Sequence, residues 1–440
     1  MWKLIKILLA GIAISFYFFP FEFSFLPGIN TKMAMAGVGL ILLCINLAIN
    51  RDARVDKGFF IITLWALAVS LMSFCSATIN GTSDYAFASY VVSMWVWLGG
   101  AYCAVSIIRY VHNNVDCKIV CHYLIGICLL QCVLACFISA SHGFSAFVDT
   151  FLAGEAYMGA NIDTDERMHG IGAALDPAGI RFAAVLVMIA FLSAQSNISK
   201  YSTMIYYILS FVVIFVVGNM IARTTTLGGV LSIIYWIISF VFINNRNKHT
   251  SEIFIRTFTW ILLLIVPLVA LLYNKSLLFY DNFRFGFEGF FSLIETGEWN
   301  MSSSDILLDH MIVFPDNMST WIIGDGYAGD FALDPYYQGE MYHGFYMGTD
   351  IGYLRFIFYF GLLGTLVFIL FFINVGFVSI GLHKSYKQMF ILLLLVHFIV
   401  WFKVTTDLFV VFALFLCVPT EDNDTYEKLY EDSIPDQLDI

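Results

Sequence analysis

The chain has 440 residues, of which 60% are hydrophobic and only 12% charged. A soluble domain carries about 25% charged residues, so this composition excludes a soluble globular protein. The solid apolar runs exclude an outer-membrane barrel, whose strands alternate. An all-α, polytopic membrane bundle is what remains, and the net charge of −11 argues against a nucleic-acid partner.

Apolar runs of roughly 20 residues, the length that crosses a bilayer, begin near Leu4, Met33, Phe59, Ala88, Ile119, Ile180, Met204, Leu227, Thr257, Ile351, Met389 and Leu408. The last two are separated only by Lys403 to Asp407. They form either a tight hairpin or one long tilted helix, so about 12 transmembrane helices are expected, with 11 as the alternative. The first run follows Lys3 and Lys6 and lacks a small-residue cleavage site, which predicts a retained signal anchor.

Orientation follows the basic loops. With the N-terminus inside, 14 of the 22 Lys and Arg residues fall on the inner side, whereas 21 of the 33 acids fall outside. This predicts one transmembrane unit over 1–420 with two sizeable outer loops, about 141–177 and 274–350. An acidic inner tail follows over 421–440. No inner segment is large enough to hold a nucleotide, and no phosphate-binding glycine loop is present. Catalysis would use an outward site and a substrate that brings its own leaving group.

Other signals are bland. Cys128, Cys132 and Cys136 share one helix face, but without a histidine or carboxylate at ligand spacing they read as packing residues. Gly99, Gly100, Gly228 and Gly229 read as close-packing points between helices. Asn300 and Asn317 begin glycosylation sequons that matter only in a eukaryotic cell.

The first outer loop carries Arg167, His169 and Asp176, with Pro177 at a helix start. Arg181 then lies about one turn inside, where a guanidinium is costly unless it snorkels or is bound. Arg223 is the sole charge between Lys200 and Arg246, followed by Thr224, Thr225 and Thr226. It is either a turn charge or half of an anion cradle. The second loop holds Arg284, a Gly324-Asp325-Gly326 turn and His343. It runs into Asp350-Ile-Gly-Tyr353-Leu-Arg355, where Asp350 could simply be an N-cap. Arg181, Arg223, Arg355 and Lys403 sit at the outer ends of four helices. Their convergence would suit an anionic lipid headgroup.

In this order, from Arg167 to Gly364, the motifs resemble the Wzy-type O-antigen and capsule polymerases. These are related to the O-antigen ligases and grouped with the GT-C membrane glycosyltransferases. The pieces are Arg167 with Gly170 and Asp176-Pro177, Ala222-Arg223-Thr-Thr, Arg284, Gly324-Asp325-Gly326, and Asp350-Ile-Gly-Tyr353-Leu354 with Gly361 and Gly364. The resemblance implies a multi-pass enzyme of the bacterial inner membrane, N-terminus cytoplasmic. It would join repeat units carried on undecaprenyl pyrophosphate at the periplasmic face, without metal or cofactor, beside a chain-length regulator and a flippase. Asp350 is the implied general base, with His169, His343 and Asp176 as the other candidates. Arg223 and Arg181 are the first choices for stabilising pyrophosphate. Arg284 and Arg355 come second, and Arg167, Asp176 and Tyr353 join them as substrate-binding residues. Ligases tend to carry histidine where Asp350 stands, which favours a polymerase. The alternatives are a ligase, a flippase or transporter of the same lipid-linked oligosaccharide, and a peptidoglycan polymerase of the shape–elongation–division type.

Overall fold

Each of the twelve apolar runs becomes, or directly abuts, a helix in the computed structural model. The structure describes residues 2–49, 57–152, 167–195, 200–242, 248–329 and 345–420. The acidic tail 421–440 lies outside the described residues. Eight helices are long and apolar enough to span a bilayer: α2 (Thr31–Ile49), α3 (Lys57–Asn80), α4 (Tyr90–His112), α5 (Cys117–Ala140), α7 (Leu175–Ser193), α8 (Tyr201–Ile221), α10 (Lys248–Lys275) and α15 (Gly352–Leu382). Shorter apolar helices α1 (Trp2–Phe18), α9 (Thr225–Ile237), α16 (Lys387–Val400) and α17 (Phe409–Leu416) complete the set that matches the sequence runs. The multi-pass helical class therefore stands, with eight span-length helices among the described residues.

Burial sorts these helices. The side chains of α7 from Ala178 to Ser193 are all buried, so α7 is the axis of the bundle. Helices α2 and α10 leave most of their apolar side chains exposed, including Ile41, Ile49, Leu263 and Leu264. A soluble surface does not present such continuous apolar faces, and a bilayer accommodates them. Small residues bring backbones close: Gly39 of α2 lies against the Gly99 carbonyl of α4, and Gly228 of α9 against Ala183 of α7. Cys128 and Cys132 are buried in the same core, as packing residues would be, while Cys136 is exposed.

The last two apolar runs form a hairpin. Phe390, near the start of α16, packs on both Phe412 and Phe415 of α17 at 6.2 and 5.4 Å between ring centroids. The two helices therefore run antiparallel, joined by residues 401–408 at the end of the bundle where α7 begins.

Neither large loop is wholly irregular. The 141–177 segment contains α6 (His142–Phe151), and α7 starts at Leu175, two residues before Pro177. The 274–350 segment contains α11 (Leu277–Gly286), α12 (Glu288–Thr296), α13 (Ser302–His310) and α14 (Met318–Ile323). One device fastens it to the bundle. Helix α15 breaks at Phe360 and Gly361, which frees carbonyls of the preceding turn. The backbone N–H groups of Asp325 and Gly326 donate to Phe358 and Tyr359 oxygens at 2.6 and 3.0 Å, restoring those bonds. Gly361 has φ +67°, and a Cβ there would run into the Ile322 carbonyl.

Gly361→Ala is therefore expected to cost on the order of 2–3 kcal/mol, from the left-handed backbone and the clash together. It should also release the Gly324–Gly326 turn. A melting temperature in detergent equal to wild type, with unchanged proteolysis of the 274–350 segment, would contradict this docking.

Candidate functional site

Five pieces of chain meet at the end where α7 begins: the start of α7, the Ala222–Thr224 turn, the 276–329 segment, the residues leading into α15, and the 401–408 turn. They assemble most of the polar groups singled out in the sequence.

Arg223 sits in the turn between α8 and α9, largely buried. Its Nε donates to the Phe285 carbonyl at 2.9 Å and one Nη to Ser303 at 3.0 Å. The other Nη pairs with Glu288 at 2.7 Å, and its guanidinium carbon lies 4.1 Å from the centre of the Phe285 ring. Arg167 stacks over the same ring at 4.9 Å, and the two cations repel one another. Burial, with that repulsion, lowers the Arg223 pKa from its ordinary value, and Glu288 opposes the shift. Of the two readings of Arg223 and its threonines, the anion cradle is not formed by the hydroxyls, which are used internally. Thr225 donates to the Gly218 carbonyl and Thr226 to Asn219, closing the α8–α9 turn. Thr224 donates to Asp176 of α7.

Lys403 joins this group from the hairpin turn. Its Nζ lies 3.1 Å from Asp176 and 3.3 Å from the Thr224 hydroxyl. Arg223, Thr224, Glu288 and Lys403 border a mainly apolar cavity of about 410 Å³, walled by Phe287, Trp299 and Phe402. A second cleft of about 540 Å³ places Arg223 and Glu288 beside Arg284 and Glu295. In that cleft Arg284 is already forked onto Glu295 at 2.7 and 2.8 Å, in an exposed position.

Asp350 is not an N-cap. Ile351 holds that position, and Asp350 accepts a bond from Arg355 at 3.2 Å. Arg355 also donates to the Ala328 carbonyl at 2.8 Å and to Thr405 at 3.4 Å, and lies over the Phe345 ring at 4.7 Å. Burial pushes the Asp350 carboxyl up to about 6, with the Asp176 charge adding to the rise, while Arg355 and Lys403 pull it down. The mutual influence of Asp350, Asp176 and Lys403 links this pair to the Arg223 group.

The structure thus brings together Arg167, Asp176, Arg223, Arg284, Asp350 and Arg355, with Lys403. Arg181 is placed apart. It is only 8% exposed and lies among Tyr17, Phe19, Trp97 and Lys32 rather than with Arg223. Two positions five residues apart on a helix point roughly 140° from each other, so Asp176 and Arg181 face different sides of α7. His169 is half-buried on the 167–174 loop, and burial lowers its pKa. The acid that acts on it is Asp149, not Asp350. Tyr353 turns toward the hairpin, donating to the Phe398 carbonyl at 3.0 Å and packing edge-on against Trp401 and Phe402; there it braces the site. His343 lies outside the described residues. Glu288 and Thr405 were missed in the sequence, because nothing local marks a carboxylate or hydroxyl whose partner lies 50 or more positions away.

No family model, curated protein or solved structure matches this chain.

The Asp350 shift has a definite sign. Its pKa in the fold lies above the unfolded carboxylate value of about 3.9, so proton binding favours the folded state. That contribution is full below about pH 4 and is lost as pH rises through about 6. Wild type should lose roughly 1–3 kcal/mol between pH 4 and 7.5 that Asp350→Asn does not lose. Parallel melting-temperature profiles for the two proteins would refute the assignment.

Proposed function

We propose that this chain is a glycosyltransferase of the polysaccharide-polymerase kind, acting on oligosaccharides carried by a polyprenyl pyrophosphate. In this reading it lies in a bacterial inner membrane with its N-terminus in the cytoplasm and the charged end facing the periplasm. The observation that carries it is the pairing, at one end of the bundle, of a half-buried carboxylate, Asp350, with the cations Arg223 and Lys403 bordering an apolar cavity. Glycosyl transfer from such a donor needs both: a base for the acceptor hydroxyl, and positive charge where the pyrophosphate departs.

The chemistry would run as follows. Asp350 accepts the proton of the acceptor sugar hydroxyl as its oxygen attacks the anomeric carbon. A new glycosidic C–O bond forms while the bond from that carbon to the pyrophosphate oxygen breaks, and the lipid pyrophosphate leaves with the bonding pair. Arg223, Arg167 and Lys403 neutralise the departing oxyanion, and Arg355 holds Asp350 in place. The ordered resemblance to Wzy-type polymerases supports the same reading, and the carboxylate at Asp350 favours a polymerase over a ligase.

Arg223 must exchange Glu288 for phosphate. Glu288 is about one-third exposed while Arg223 is only 11% exposed, so the carboxylate can return to water when another anion takes its place on the guanidinium. A doubly charged leaving group can displace it. Glu288→Gln should therefore keep activity and lower the KM for donor by a few-fold. A KM that rises several-fold instead would show that Glu288 assists binding.

The main test is the surface-polysaccharide ladder of a deletion strain complemented with variants. Arg223→Ala and Asp350→Asn should remove long chains while single repeat units remain attached and the protein still inserts. Loss of all attached glycan in the deletion strain would point to a flippase or ligase. Normal ladders from both variants would sink the site assignment.

A further inference from the structure

Arg181 is the least explained charge in the bundle. Arg223, Lys403 and Arg355 each hold a carboxylate. Arg181 is 8% exposed, and its Nε is buried with no hydrogen-bond partner among the described residues. Its guanidinium carbon lies 5.6 Å from the Phe19 ring centre and 5.9 Å from that of Trp97. Lys32, from the first turn of α2, brings a second cation over the same indole at 4.2 Å. The two cations are close enough to repel each other. Asp407 attracts both, but one of its oxygens already accepts the Phe409 N–H at 2.9 Å. Two positive charges thus share one partly engaged carboxylate.

Energetics make this an unstable arrangement without a further anion. Burying an ion is costly even after relaxation, and a cation over an aromatic ring recovers only part of that cost, so the desolvation of Arg181 and its repulsion by Lys32 are incompletely offset. A guanidinium offers forked donors suited to phosphate oxygens, and an ammonium adds a point charge beside it. Lys32 begins a helix most of whose apolar side chains are exposed, so an amphiphile has a route to the site.

We propose that Lys32 and Arg181, both drawn to the Trp97 ring, form an oxyanion site for a phosphate group, separate from the Arg223–Lys403 cluster. The site lies on the other side of the 401–408 turn, contributed by α2, α4 and α7 with Asp407. It shares no residue with the glycosyl-transfer site and does not rest on that reading. The phosphate could be delivered by a lipid headgroup or be free in solution, and the chemistry of recognition is the same.

The test uses the full-length protein in two arms. In the first, native mass spectrometry counts phosphatidylglycerol retained from mixed phosphatidylglycerol–phosphatidylcholine nanodiscs. In the second, equilibrium dialysis measures binding of inorganic phosphate to protein in uncharged detergent. Lys32→Gln should weaken binding of the responsive probe about tenfold, the loss of one charged hydrogen-bonding partner. Arg181→Gln should weaken it further, and Lys275→Gln, at the exposed end of α10, should leave it unchanged. Lys32 is only partly buried, so its variant guards against misfolding being mistaken for loss of a site. A response confined to phosphatidylglycerol supports a lipid source, and one confined to inorganic phosphate supports a soluble source. Equal binding of both probes by wild type, Lys32→Gln and Arg181→Gln would overturn the proposal. So would an equal loss in Lys275→Gln.

Discussion

The charged end of this bundle depends on how one stretch of non-helical backbone, residues 401–408, is satisfied among packed helices. Backbone groups at such depth must find partners within the protein. Here the Trp401 carbonyl accepts the Tyr353 N–H at 3.1 Å, and the Lys403 and Val404 N–H groups fold back onto Val400. Asp407 takes the Phe409 N–H at the start of α17. Gly352 allows the chain to approach closely, since a Cβ there would lie 2.6 Å from the Val404 carbonyl. With its backbone fixed in this way, the turn can aim Lys403, Thr405 and Asp407 in different directions. Lys403 reaches Asp176, Thr405 reaches Arg355, and Asp407 acts on Arg181 and Lys32. One turn therefore divides the cations of this end into two groups.

Much of this was legible in the sequence for a physical reason. In a chain with 12% charge, each charged residue at a helix end marks an unusual cost, so Arg223, Arg355, Asp176 and Asp350 could be singled out one by one. The Gly324–Gly326 turn and Gly361 were also visible, but not their relation, because the break in α15 that joins them is a three-dimensional fact. Partners were hidden for the same reason. Glu288 lies 65 positions from Arg223 in the chain, and Lys403 lies 227 from Asp176.

Arg181 shows where a pattern of spacing could have said more. Its expected role beside Arg223 rested on both being arginines near helix ends. The five-residue step from Asp176 already implied opposite-facing positions on α7, and burial along the whole of that helix made a lipid-facing snorkel untenable. Thr224, Thr225 and Thr226 teach the converse lesson. Three hydroxyls beside an arginine suggest a ligand cradle, yet a turn between two packed helices has its own unpaired groups to satisfy, and the hydroxyls are used there first.

Charge balance couples the two halves of the proposed reaction site. Arg223, Lys403 and Arg355 are matched by Glu288, Asp176 and Asp350, and Arg167 adds one further cation. A pyrophosphate bound against Arg223 and Lys403 would bring more than one negative charge toward Asp350, which already feels Asp176. Added negative charge raises a carboxyl pKa, so in the proposed reaction donor binding would make Asp350 a stronger base than in the empty site. By the same linkage, protonation of Asp350 strengthens the hold on the anion. Proton transfer from the acceptor would then tighten the grip on the leaving group at the moment its charge develops. An isolated carboxylate, remote from the cations, would remove the proton equally well but would give the departing pyrophosphate no such support.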